Sequence, residues 1–264
     1  MTIMQGFWLG IVQGISEFLP ISSSGHLVLL QRLFGIESNL FSLTIVVHVG
    51  SLVPVVVIYF SRLRALLFQP FQKMTLLLLA GTLPMVLMAL LLDDLLEVLF
   101  GGGFLGIGFL MTGLLMLVVD RLVAGAKDET AITTRDAVLI GFAQAIASMV
   151  PGISRSGSTI FGGVCRGLDR QTAADFSFLL SVPAIMGATA WELMGQLGGD
   201  GLATDFLLTP PVMVAFVASM VAGFFAIKVM LRLMLATKMN YFAYYLFVLA
   251  GLIGFDQLVT GIFF

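Results

Sequence analysis

Charge is scarce in this chain, and its scarcity excludes most soluble readings. Lys and Arg number 13 and Asp and Glu 15 among 264 residues, 11% in all, against 59% hydrophobic residues. With a mean hydropathy of +1.08, too little polar surface remains to coat a soluble globule of this length. The sequence therefore reads as an all-α polytopic membrane protein. No basic run offers a footprint for nucleic acid. Cysteine is nearly absent: the lone Cys165 excludes an intramolecular disulfide, and its apolar surroundings predict a small packing residue rather than a reactive thiol. The N-terminal MTIMQGFWLG lacks the basic stretch of a cleaved signal peptide, so insertion is expected to rest on the spans themselves.

What polarity there is gathers in two places. Residues 13–26 read QGISEFLPISSSGH, with a carboxylate, three consecutive serines, a glycine and one of only two histidines. Residues 144–159 read QAIASMVPGISRSGST and repeat the punctuation: Gln13 and Gln144, Ile15 and Ile146, Pro20 and Pro151, and Ser23 and Ser154 are each 131 apart. The two stretches read as halves of one site.

A helix crossing the hydrocarbon needs about 20 apolar residues. Six stretches qualify: about 41–60, 74–92, 103–123, 174–197, 211–234 and 241–263. Each motif region is instead two short segments broken by a proline, which predicts re-entrant helix-loop-helix hairpins at 3–35 and 136–168. Irregular backbone survives at membrane depth only where protein or a wet cavity satisfies it. With both hairpins re-entrant, 11 of the 13 basic residues fall on one side, which the positive-inside rule makes cytoplasmic, and both termini lie outside. The opposite side holds Arg32 and the acidic connections with Asp93, Asp94 and Glu97, with Asp200 and Asp205, and with Asp256. Each half is then one hairpin plus three spans within a single membrane domain, 1–264: about 1–125 and about 130–264, the second inverted relative to the first. An inverted repeat brings the two tips together near the midplane.

Gln13 and Glu17, four apart, share a helix face. Pro20 ends that helix, and Ser22, Ser23 and Ser24 can cap the next, with Gly25 free to take positive φ. Pro151–Gly152 plays the same part before Ser154, Arg155, Ser156 and Thr159. Both tips aim backbone N–H groups and hydroxyls at one place, joined by a guanidinium. That is an anion site, and phosphate best matches the Arg155 fork. An arginine or aspartate near the bilayer centre costs about 2.5–3.5 kcal/mol on insertion scales, so Glu17, His26 and Arg155 mark function. A purely structural Glu17–Arg155 pair would leave the serines and His26 unexplained. His48, in the first expected span, reads as a helix histidine bonded to a carbonyl or as a wall of the site, and Glu192 and Asp120 read as interfacial.

QGISEFLPISSSGH together with PGISRSGST, and TAADFSFLLSVP at 172–183, resembles the undecaprenyl-diphosphate phosphatase family, also called the bacitracin-resistance protein family, over almost the whole chain. The resemblance implies a membrane enzyme that hydrolyses the C55 polyprenyl diphosphate to its monophosphate. This returns the lipid carrier for cell-wall polymers and gives bacitracin resistance, with a divalent cation (Mg2+ or Ca2+) and a site open to the outer face of a bacterial plasma membrane. By that resemblance Glu17, Ser23 and His26 match the family's essential acid, serine and histidine, and Ser154, Arg155 and Thr159 its phosphate-binding loop; Glu17, Ser23, His26 and Arg155 are the expected catalytic residues, and the tip hydroxyls of Ser22, Ser24 and Ser156 are expected to join the phosphate. Glu17 would hold the metal, with Gln13 as a neutral ligand where the family carries Glu or Gln. His26 is the expected general base and acid; Ser23 is a nucleophile or a further phosphate ligand. The expected partners are the lipid substrate and the bilayer, with a homodimer left open. The competing reading is a transporter or flippase of an anionic polyprenyl lipid, which needs the phosphate clamp but neither nucleophile nor proton carrier.

Overall fold

Thr2 and Gln5 form a reciprocal capping box that starts helix α1, Ile3–Phe18, and the chain leaves the helix at Leu19, just before Pro20. A computed structural model describes residues 1–36, 40–92, 99, 103–197, 208–236 and 238–262. After α1 come α2 (Ser23–Leu33), α3 (Leu40–Ile58), α4 (Phe60–Phe68), α5 (Lys73–Leu91) and α6 (Leu105–Arg121). There follow α7 (Thr134–Met149), α8 (Arg155–Cys165), α9 (Arg170–Leu197), α10 (Pro210–Leu235) and α11 (Asn240–Phe255). No strand occurs among the described residues, and the chain is an all-α polytopic membrane protein.

The stretches expected to span coincide with α3, α5, α6, α9, α10 and α11. By length and apolarity α5, α9, α10 and α11 with its terminal turn qualify outright, and α3 qualifies when joined to α4, which bends away by 88°. α6 has 17 residues and falls just short of that length. The acidic connections carrying Asp93, Asp94, Glu97, Asp200 and Asp205, and the side chain of Glu192, lie outside the described residues.

Packing pairs the arms crosswise. Gly6, Gly10 and Gly14 recur every fourth residue along α1, where any Cβ would collide with the backbone of Pro211, Ala215 and Ser219 on α10. Small residues let backbones touch, which is how apolar helices bind each other where lipid is as apolar as leucine. α7 meets α5 in the same way, Gly141 lying against Gly81. α6 and α11 pair with one another. The main core joins Phe18, Tyr59, Leu77, Ile140, Phe176 and Phe178, while Leu76, Leu79, Leu83 and Leu90 on α5 and Val217, Val221 and Phe225 on α10 face outward. An apolar rim of that extent is suited to hydrocarbon rather than water.

A polar layer closes one end. Arg62 reaches Glu129 and Asp175, Tyr59 donates to Asp175 at 2.6 Å, and Arg166 and Lys127 both pair with buried Asp136. Lys73 and Arg170 donate to backbone carbonyls of the same layer. Cys165 corrects its expectation: it is the last residue of α8 and is exposed, the packing there being done by Ile160 and Val164. Asp120 caps a turn, accepting from the Met239 amide at 3.0 Å.

Candidate active site

Both hairpin tips solve the same local problem with a serine. Ser22 precedes α2 and accepts from the Gly25 amide at 3.3 Å; Ser154 precedes α8 and accepts from the Gly157 amide at 3.1 Å. Two residues on, Ser24 and Ser156 lie 3.3 and 3.2 Å from their capping serines. The caps are thus 132 apart, whereas the prolines are 131 apart, because the second tip carries one extra residue. The shorter tip turns through Ser22 itself, at φ 71°; the longer one uses Gly152, at φ 91°. Gly25 does not take the positive φ expected of it. Its lack of a side chain instead makes room for Phe109.

In the register of the caps, Ser23 corresponds to Arg155, and both reach Glu17. Ser23 Oγ donates to Glu17 Oε2 at 2.6 Å, and Arg155 Nη2 donates to Glu17 Oε1. Gln13 Nε2 donates to Oε2 at 3.0 Å from one turn back. His48 Nε2 stands 3.7 Å from the same oxygen while its Nδ1 donates to the Thr44 carbonyl, so both readings of His48 hold at once. The Glu17 side chain is 2% exposed. A buried carboxylate needs partners, and here four elements supply them.

The remaining candidates divide into groups. Ser156 and Thr159 line a small cavity beside Glu17 and Arg155, together with Gln144, Ser177 and Ser181. Ser22 and Ser154 spend their hydroxyls on the caps. His26 turns the other way: Nδ1 donates to the Ser22 carbonyl at 2.7 Å, leaving Nε2 to accept from the Tyr245 hydroxyl at 2.7 Å. Its ring stacks on Tyr245 and meets the edge of Phe109.

With the two tips joined across Glu17, the comparisons can be read. The sequence matches the bacitracin resistance protein BacA family over residues 6–252. The chain belongs to that family. An undecaprenyl-diphosphatase of Carboxydothermus hydrogenoformans is 43% identical over 250 residues, covering 94% of this chain and 95% of that protein. One from Halothermothrix orenii is 37% identical over the full length of both. An undecaprenyl-diphosphatase 4 of Bacillus cereus is 39% identical over 256 residues, 96% of each.

Several residues of this BacA-family site escape sequence reasoning. Thr112 of α6 accepts from the Ser154 amide at 2.9 Å and donates to the Gly152 carbonyl at 2.8 Å, so a span holds the second tip in place. Ser177 of α9 lies 2.6 Å from Thr159 Oγ1. A serine or threonine in a membrane helix ordinarily bonds its own backbone, and nothing in the local sequence singles these out.

Proposed function

We propose that this chain removes the terminal phosphate of undecaprenyl diphosphate, releasing undecaprenyl phosphate and inorganic phosphate. The observation that carries the reading is the meeting of Ser23, Glu17 and Arg155 across the two tips. A hydroxyl bonded to a carboxylate, with a guanidinium on its other oxygen, combines an activated nucleophile, a proton acceptor and a phosphate clamp. Splitting a phosphoanhydride asks mainly for in-line attack and neutralised charge on the oxygens.

At rest Arg155 is bound to Glu17, and the cavity beside the pair has a volume of about 10 Å3, the room of about one water. The arriving diphosphate takes over the Arg155 fork, with Ser156 and Thr159 turning their hydroxyls to it, and this frees Glu17 for its second task. Ser23 Oγ attacks the terminal phosphorus as its proton passes to Glu17; the bond to the bridging oxygen breaks, and the lipid monophosphate leaves with that electron pair. Water then cleaves the phosphoserine and restores Ser23. His26, three residues on along α2, serves as proton carrier for that water, its ring held by Ser22 and Tyr245. Ser22, Ser24 and Ser154 shape the tips whose amides face the phosphate.

A divalent cation, Mg2+ or Ca2+, fits beside this pair. Gln13 Oε1 is buried without a partner, on the amide whose Nε2 donates to the Glu17 carboxylate. One amide oxygen, one carboxylate and substrate phosphate oxygens are a donor set that hard cations accept. The ion would neutralise diphosphate charge.

We assign the chain to the bacterial plasma membrane, with both termini and the site open to the outer face and the polar layer of Arg62, Lys73, Lys127, Arg166 and Arg170 in the cytoplasm. The crosswise pairing of α1 with α10 and of α7 with α5 supports an inverted repeat of halves 1–125 and 130–264. The test is phosphate release from farnesyl or undecaprenyl diphosphate by purified protein with added Mg2+ or Ca2+. Wild type is expected to turn over and Ser23→Ala to bind without turnover; full turnover by Ser23→Ala removes the nucleophile. An inactive wild type that still binds the lipid would turn the reading toward a carrier.

A further inference from the structure

We propose that Gln144 is a phosphate ligand of the substrate, an assignment that rests on the phosphatase reading and adds to its guanidinium and hydroxyls a third kind of group, a neutral amide. Most hydrogen-bond donors around the cavity are already committed. Arg155 is bound to Glu17, Ser156 donates to the Leu19 carbonyl at 3.3 Å, Ser181 donates to the Phe178 carbonyl at 2.7 Å, and Thr159 and Ser177 share a bond at 2.6 Å. Gln144 lines the same cavity and is 1% exposed, and its Nε2 has no partner.

Gln13 makes the contrast. It stands 131 residues earlier at the matching place on α1, and its Nε2 is satisfied by Glu17 one turn on. One turn on from Gln144 stands Ser148, whose hydroxyl returns to the Gln144 carbonyl at 3.0 Å. The second hairpin has removed the carboxylate and kept the amide. A buried donor left unpaired is unfavourable wherever an apolar side chain of the same shape would serve. A glutamine under that penalty, lining the same cavity as Arg155 and Thr159, is a donor waiting for an anion. Its neutrality matters: beside Glu17, an amide adds a hydrogen bond to phosphate without adding charge to a site that must also release its product.

The test uses the full-length protein in detergent, with farnesyl diphosphate as substrate and inorganic phosphate as competing product. Gln144→Met keeps length and packing but removes the donor. We expect KM for farnesyl diphosphate and the inhibition constant for phosphate to rise roughly 10- to 100-fold, the effect of one hydrogen bond to a charged group. The melting temperature should hold or rise, since the unpaired donor is gone. Unchanged KM and phosphate inhibition overturn the assignment, and so does a lowered melting temperature with binding intact, which would make Gln144 a packing residue. Should Gln144→Met fail to fold, Gln144→Glu tests the same point by putting a carboxylate against phosphate; wild-type inhibition by phosphate in that variant is equally contrary. If wild type releases no phosphate at all, the parent reading falls by itself. Thermal protection by inorganic phosphate in wild type but not in Gln144→Met would then still support the anion contact, and equal protection would refute it.

Discussion

The first hairpin places Glu17 one turn after Gln13; the second, at the matching turn after Gln144, places Ser148. The first caps its returning helix with Ser22 and follows with Ser23; the second caps with Ser154 and follows with Arg155. One backbone plan thus carries a carboxylate and a hydroxyl on one side and a guanidinium and an amide on the other. The two tips share one capping geometry and differ at two positions, and in the proposed reading that difference supplies the chemistry. In the proposed mechanism neither tip holds both an acceptor for a proton and a grip for phosphate, so neither would be a site alone.

The sharpest way to break the comparison is to erase the divergence. Glu17→Gln gives the first hairpin an amide where it had its acid, and kcat should fall on the order of 1000-fold; Ser148→Ala, at the matching turn, should leave kcat unchanged. Phosphate release measured on both separates an asymmetric site from a symmetric one. Next in size is Arg155→Lys, which keeps the charge but loses the planar fork, for an expected fall of roughly 100- to 1000-fold in kcat/KM. Wild-type rates in that variant would argue against a forked contact with phosphate.

Effects on stability come lower. Gly10→Val pushes a branched side chain into the Ala215 backbone, and overpacking should cost about 1–3 kcal/mol, read as a lower melting temperature in detergent. The two tips themselves differ in the same measurement. Gly152→Ala strains a φ of 91° and drives its Cβ into the Leu105 and Phe109 backbone of α6, and should destabilise by about 1–3 kcal/mol. Ser22→Gly loses the cap but relaxes a φ of 71°, and should stay within about 0.5 kcal/mol of wild type. Equal losses at both positions would mean that the one-residue difference in tip length has no structural consequence.

Much of this was legible in the sequence, for reasons particular residues make plain. The apolar stretches near 74–92 and 211–234 declare α5 and α10 because bilayer thickness sets their length. The convergence of Glu17 and Arg155 followed from two polar, proline-broken stretches that neither could survive alone in hydrocarbon. The register of the caps was not legible: aligning Ser23 with Ser154 counts letters, whereas the chain aligns amides, and Gly152 adds a residue that only backbone geometry reveals. Thr112, Ser177 and Tyr245 were missed because each acts across 40, 18 and 219 residues of sequence, and a lone polar residue in an apolar helix has no local pattern to announce a distant partner. His26 was expected as the general base and acid; its ring is bonded to Ser22 and Tyr245, and the hydroxyl of Ser23 is bonded to Glu17.

The central claim, that the two tips meet through Glu17 and Arg155, is tested most directly by a double-mutant cycle on thermal unfolding with Glu17→Gln, Arg155→Gln and the pair. Arg155→Gln strands the buried Glu17 carboxylate, Glu17→Gln leaves the half-buried Arg155 guanidinium without its partner, and the double change strands neither. The two sites should therefore couple by about 1–3 kcal/mol, with the double variant more stable than the sum of the singles allows. Strictly additive losses would mean that the two side chains do not touch, and the shared site would fall with them.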